Sequence, residues 1–107
     1  MLLRNDQLSI INKRIVPIIG QSVISLIAYT TIKTDKPNLL IILKEIDMTI
    51  IDKIKKEGKV LNQLLNEIKL FTEDEFNASK DVFPVEFYNI KDHYQMVMGE
   101  DILKEIQ

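Results

Sequence analysis

The chain has 107 residues, with 46% apolar and 28% charged positions, 14 Lys and Arg against 16 Asp and Glu, and a net charge of -2. That is one domain's worth of a soluble globular composition, with apolar material for a single core. The charge balance excludes a phosphate-tracking surface, which needs clustered Lys and Arg, so no nucleic-acid partner is expected. No cysteine is present, which excludes a disulfide framework and a thiolate metal site. No apolar run reaches membrane-span length, and the N-terminus carries Arg4 and Asp6 in place of a signal pattern. No membrane association is expected, and a cytoplasmic location follows by default.

In chain order, Asn5 or Asp6 is placed to cap a first helix. Leu8, Ile11, Ile15 and Ile18 follow at helical spacing. Pro17 lacks an N–H and disfavours helical geometry at Val16, so the helix weakens there and ends by Gly20. Residues 23–29 (VISLIAY) and 39–43 (LLIIL) are nearly unbroken apolar runs of strand length. Such runs suit strands buried on both faces, with helices on each side of the sheet. The polar connector 30–38 (TTIKTDKPN) is short enough to make them antiparallel neighbours at the sheet centre.

A second helix is expected from near Asp47 or Thr49, with Thr49 and Asp52 as a capping pair. Ile50, Ile54, Leu61, Leu65 and Ile68 mark its buried side, and Gly58 interrupts or ends it. Lys53, Lys55, Lys56 and Lys59 read as its solvated face. Residues 67–71 (EIKLF) alternate as a short strand. Thr72 and Glu75 form a capping box opening a helix through about Lys80. Pro84 precedes an expected strand over 85–90, and 94–98 (YQMVM) reads as another. Gly99 turns the chain and Asp101 caps a last helix. The resulting class is an α/β (α+β) sandwich, a small mixed sheet with helices on its faces, spanning 1–107 as a single domain.

The last third of the chain carries the most specific pattern. Phe83-Pro84-Val85-Glu86-Phe87-Tyr88-Asn89-Ile90 is followed by Met96-Val97-Met98-Gly99-Glu100-Asp101. With the element order, these residues resemble bacterial nucleotidyltransferase-like proteins, which carry F-P-[IV]-E-F-x-[DN]-I and then L-Y-G-E-D. The resemblance implies the nucleotidyltransferase superfold. Its active members bind triphosphate at a Gly-Ser pair after the first strand, and hold two Mg²⁺ ions with two acids on the second strand and one on a neighbour.

Under that resemblance the Gly-Ser pair falls on Thr30 and Thr31, the candidate cofactor-binding residues. The acid pair falls on Asn38 and Leu40, neither of which is a carboxylate, and Glu86 matches the third acid as a vestige. One carboxylate does not make a two-metal cage, so no metal, cofactor or catalytic residue is expected. The implied function is a non-catalytic regulatory or interaction module. The alternative is an active or residual nucleotidyltransferase using Mg²⁺ and a nucleoside triphosphate, with Glu45 and Asp47, or Asp35, as replacement acids. The plainer account makes Glu45 a solvated strand end and Asp47 a helix cap.

Other residues have similarly plain accounts. Glu86 is equally an acid paired with a nearby lysine, His93 a polar turn residue, and Tyr88 and Tyr94 packing aromatics rather than base-stacking ones. Met96 and Met98 lie on a strand expected to end the sheet. Beside them Ile102, Leu103 and Ile106 form an apolar stripe without evident cover in the chain. The stripe implies a protein partner or a homodimer; folding back onto the first helix is the intrachain alternative.

Overall fold

The computed structural model describes residues 3–30, 36–82 and 94–105. Its centre is the pair of apolar runs. Strand β1 (Val23–Tyr29) lies antiparallel to β2 (Asn38–Leu43), with Leu26 opposite Ile41 and Tyr29 opposite Asn38. β2 is buried along its whole length. Strand β3 (Ile68–Thr72) joins β2 in parallel, and β4 (Tyr94–Gly99) joins β1 antiparallel. The order is β3-β2-β1-β4, a mixed sheet with the two apolar strands inside, as their composition requires. The strand expected over 85–90 lies outside the described residues.

Helices cover both faces. Helix α1 (Asn5–Arg14), the short α2 (Val16–Ile19) and α3 (Met48–Val60) pack on the first face. There Ile11, Ile15, Ile19, Ile54, Leu61 and Leu65 meet Leu26, Ala28, Leu39, Ile41 and Leu43. The second face is covered by Phe76 of α4 (Glu73–Val82) and by Leu103 of a C-terminal 3-10 turn (Ile102–Glu105). They pack on Ile24, Ile27, Tyr29, Leu40 and Ile42.

Local chemistry explains most element ends, with some shifts from expectation. The Thr72–Glu75 capping box is complete: Glu75 N–H donates to Thr72 Oγ1 at 3.1 Å, and Thr72 N–H to Glu75 Oε1 at 3.0 Å. The first helix is capped neither by Asn5 nor by Asp6. It starts after Arg4, whose N–H donates to Gln7 Oε1 at 2.9 Å, while Asp6 accepts from the Arg4 guanidinium. Pro17 sits in the first turn of α2, where it removes no helical bond, and the break falls at Ile15. Asp47, not Thr49, caps α3, accepting from Ile50 N–H at 2.8 Å.

Helix α3 runs through Gly58 to Val60, so Leu61 and Leu65 reach the core from the turns after it. The interruption expected at Gly58 does not occur. A Cβ there would meet only Ile68 Cδ1, at an ordinary 3.9 Å. Gly58→Ala should therefore raise stability by about 0.5–1 kcal/mol by reducing the freedom of the unfolded chain. An upward shift of the urea midpoint with an unchanged slope is the expected readout, and a lower midpoint would show that the position needs glycine.

Candidate functional site

The resemblance concentrates attention where β1 runs out and β2 begins. Thr30 follows β1 directly and is half-buried. Gly99 alone has positive φ among the described residues, so Thr30 keeps ordinary backbone geometry and lacks the left-handed step of an anion-binding nest. Thr31, Asp35 and Glu86 lie outside the described residues, as do Tyr88 and His93.

Asn38 and Leu40 are two apart on β2, and strand periodicity puts them on one side of it. Leu40 is fully buried, packed with Ile27, Tyr29 and Ile42 beneath Phe76 and Leu103. Asn38 is 2% exposed and spends its amide within the chain. Its Nδ2 donates to the Tyr29 carbonyl at 3.4 Å, and its Oδ1 accepts from Asn66 Nδ2 at 2.8 Å. Asn66 N–H in turn donates to the Pro37 carbonyl at 2.8 Å. The amide therefore ties the start of β2 to the turn after α3.

Glu45 and Asp47 are not near these residues. Glu45 and Asp47 follow the opposite end of β2, with Glu45 exposed and Asp47 used as the α3 cap. Among the described residues no three His, Cys, Asp or Glu side chains come together as a metal-holding group.

The C-terminal stripe is corrected by the fold. Leu103 is fully buried in the core, at 0% accessibility, and Ile102 packs against the same cluster. They cover the second face beside Phe76, not the first helix. Ile106 lies outside the described residues. Three contacts set this course. Glu100 N–H donates to the Ile24 carbonyl at 2.8 Å, the buried Ser25 Oγ donates to the Glu100 carbonyl at 2.7 Å, and Tyr94 Oη donates to the Asp101 carboxylate, 2.6 and 2.8 Å from its oxygens. Asp101 is thus a partner for Tyr94.

Partial burial, then the hydrogen bond and charge of Asp101, push the Tyr94 phenol up to about 12 from 10.0. A phenol raised on folding contributes stability in full below its unfolded value and loses it as pH rises through the folded one. The stability advantage of wild type over Tyr94→Phe should therefore be constant below pH 10 and shrink between pH 10 and 12. Paired urea titrations across that window measure it; a constant difference would remove the Tyr94–Asp101 bond as its source.

A second feature lies on the first face. Between α1, α2 and α3 runs an open groove of about 680 Å³. Ile10, Ile18, Val60 and Leu61 supply its apolar lining, and Lys13, Lys53 and Lys56 its charge. Arg14 joins the walls by a two-pronged bond to Glu57, with Nε–Oε2 at 2.6 Å and Nη2–Oε1 at 3.3 Å. That hydrogen bond, and then the Glu57 charge, raise the Arg14 pKa above its usual value. Sequence reading placed Lys53 and Lys56 correctly on the solvated side of α3, but missed the groove. Its one local signal is the i, i+3 spacing of those lysines; the wall facing them comes from a segment some forty positions earlier.

No family model matches the chain, and neither does any curated protein or solved structure. Among the described residues, no helix is long and apolar enough to cross a membrane.

Proposed function

We propose that the chain is a non-catalytic, nucleotidyltransferase-like domain that works as a regulatory or interaction module. The observation that carries this reading is the environment of Leu40. At a position where the resemblance calls for a metal-binding carboxylate, an apolar side chain is sealed under Phe76 and Leu103. The neighbouring position, Asn38, has its amide committed to Tyr29 and Asn66. A two-metal site needs an open, oxygen-lined face with room for triphosphate. Here that side of β2 is closed by hydrophobic packing, and its free energy is used for folding.

The test is an assay of Mg²⁺-dependent nucleotide transfer or pyrophosphate release with each common nucleoside triphosphate, beside thermal melts with and without Mg²⁺ and nucleotide. The expected result is no turnover and no metal-dependent rise in melting temperature. A ligand at a hundred times its Kd would stabilise by about 2.7 kcal/mol, which such melts detect readily. Turnover that needs Mg²⁺ and is lost in Glu86→Gln would overturn the reading.

A further inference from the structure

We infer that the groove between α1, α2 and α3 is a docking site for an acidic amphipathic helix of a partner protein. The inference rests on the interaction-module reading, and it adds where the partner sits and what chemistry it carries. The argument begins with charge. The protein as a whole is net -2, yet the groove carries Lys13, Arg14, Lys53 and Lys56 against one acid, Glu57. Glu57 is neutralised by Arg14 through their paired hydrogen bonds, which leaves three lysine charges around an apolar lining. A local excess of cations on an acidic protein attracts a partner with carboxylates at matching places.

Shape selects the form of that partner. The groove is open, apolar-lined and runs between helices, and the side-chain ridge of a further helix fits such a groove. Val60, 56% exposed, offers an apolar contact at one wall, with Ile10, Ile18 and Leu61 alongside. A bilayer is flat and does not follow a groove between helices. A nucleic-acid backbone finds too few cations and meets an apolar lining. The matching helix therefore carries apolar residues at i, i+3 or i+4 and i+7, flanked by Asp or Glu that reach the three lysines. The Arg14–Glu57 bond links α1 to α3 beside this lining.

A random peptide library about four helical turns long, displayed on phage and selected against the whole chain, tests this. The expected enrichment is of acid-flanked apolar residues at helical spacing. Amide chemical-shift changes on adding a synthetic copy of the enriched peptide should centre on Ile10, Lys13, Lys53 and Val60. Lys53→Glu/Lys56→Glu, both solvent-facing and expected to melt like wild type, should weaken binding roughly tenfold or more. Raising ionic strength from about 0.05 to 0.5 M should weaken it further. No enrichment, enrichment of basic or unpatterned peptides, or shifts centred elsewhere would overturn the inference. So would preferential binding to phosphatidylserine-containing vesicles that the peptide does not displace. Failure of the selection leaves the turnover assay unaffected, and Mg²⁺-dependent turnover would remove the non-catalytic reading whatever the groove binds.

Discussion

Gly99→Ala should unfold the protein or come close to it. Gly99 has φ +85°, in the left-handed region, at the end of β4 where the chain turns back. Added backbone strain is the smaller part of the cost, of order 1–2 kcal/mol. A Cβ at this position would overlap the Ile24 carbonyl oxygen and stand 2.9 Å from its carbon and 3.1 Å from Ser25 Cα. These are backbone atoms of a central strand and cannot swing aside as a side chain end would. Relief requires moving β4 from β1, which breaks the Glu100 N–H bond to Ile24 and the Ser25 bond to Glu100, and lifts Leu103 from the core. The expected loss is about 3–5 kcal/mol, a large part of the roughly 5–15 kcal/mol that holds a domain together. Urea unfolding of Gly99→Ala beside Gly99→Asn separates the two causes. Asn tolerates the left-handed region but still carries a Cβ, so both variants should fall alike. A well-folded Gly99→Asn would assign the cost to φ rather than to overlap.

Building an acid pair into β2 should be still more damaging. Asn38→Asp/Leu40→Asp places carboxylates where the nucleotidyltransferase resemblance calls for them, and the surroundings cannot accept them. Truncating a fully buried leucine such as Leu40 to alanine costs about 2–5 kcal/mol in lost transfer energy and residual cavity. Placing a carboxylate in the same apolar setting adds several kcal/mol, because no partner charge faces it from Phe76, Leu103, Ile27 or Ile42. At Asn38 the substitution replaces the Nδ2 donor by an oxygen facing the Tyr29 carbonyl, a cost of about 1–3 kcal/mol. The sum approaches or exceeds the whole stability of a domain of this size. Circular dichroism should show loss of cooperative melting in the double variant, and Mg²⁺ should not restore it. A folded double variant whose melting temperature rises with Mg²⁺ would show that the site tolerates metal and would reopen the catalytic alternative. Leu40→Ala alone, with its smaller cost, provides the graded comparison.

These two positions differ in how far their roles were legible beforehand. Gly99 is recognisable as a turn because glycine between a short strand and an acid is a local signal. That its missing side chain makes room for Ile24 is not local, since Ile24 is 75 positions away. Leu40 is recognisable as core from the apolar run around it. That Phe76 and Leu103 are the residues covering it follows only from the packing of α4 and the C-terminal turn. Leu103 shows the limit most directly. An apolar stripe near the end of the chain suits a partner or an intrachain neighbour equally well, and it is the antiparallel docking of β4 on β1, followed by the Gly99 turn, that carries it to the second face.

The same division holds across the chain. The sequence by itself determined the two central strands, the Thr72–Glu75 cap and the need for helices on both faces. All of these rest on interactions within four residues or on apolar runs too continuous to leave either face of a strand in water. The tertiary structure alone decided which segments cover each face, how Asn38 spends its amide and where the lysines of α3 find a facing wall. The Asn38–Asn66 bond spans 28 positions and the Arg14–Glu57 bond 43. Contacts over such distances exist only once the chain has bought their closure with burial elsewhere, so their partners are set by the packing of the whole sheet rather than by any local pattern.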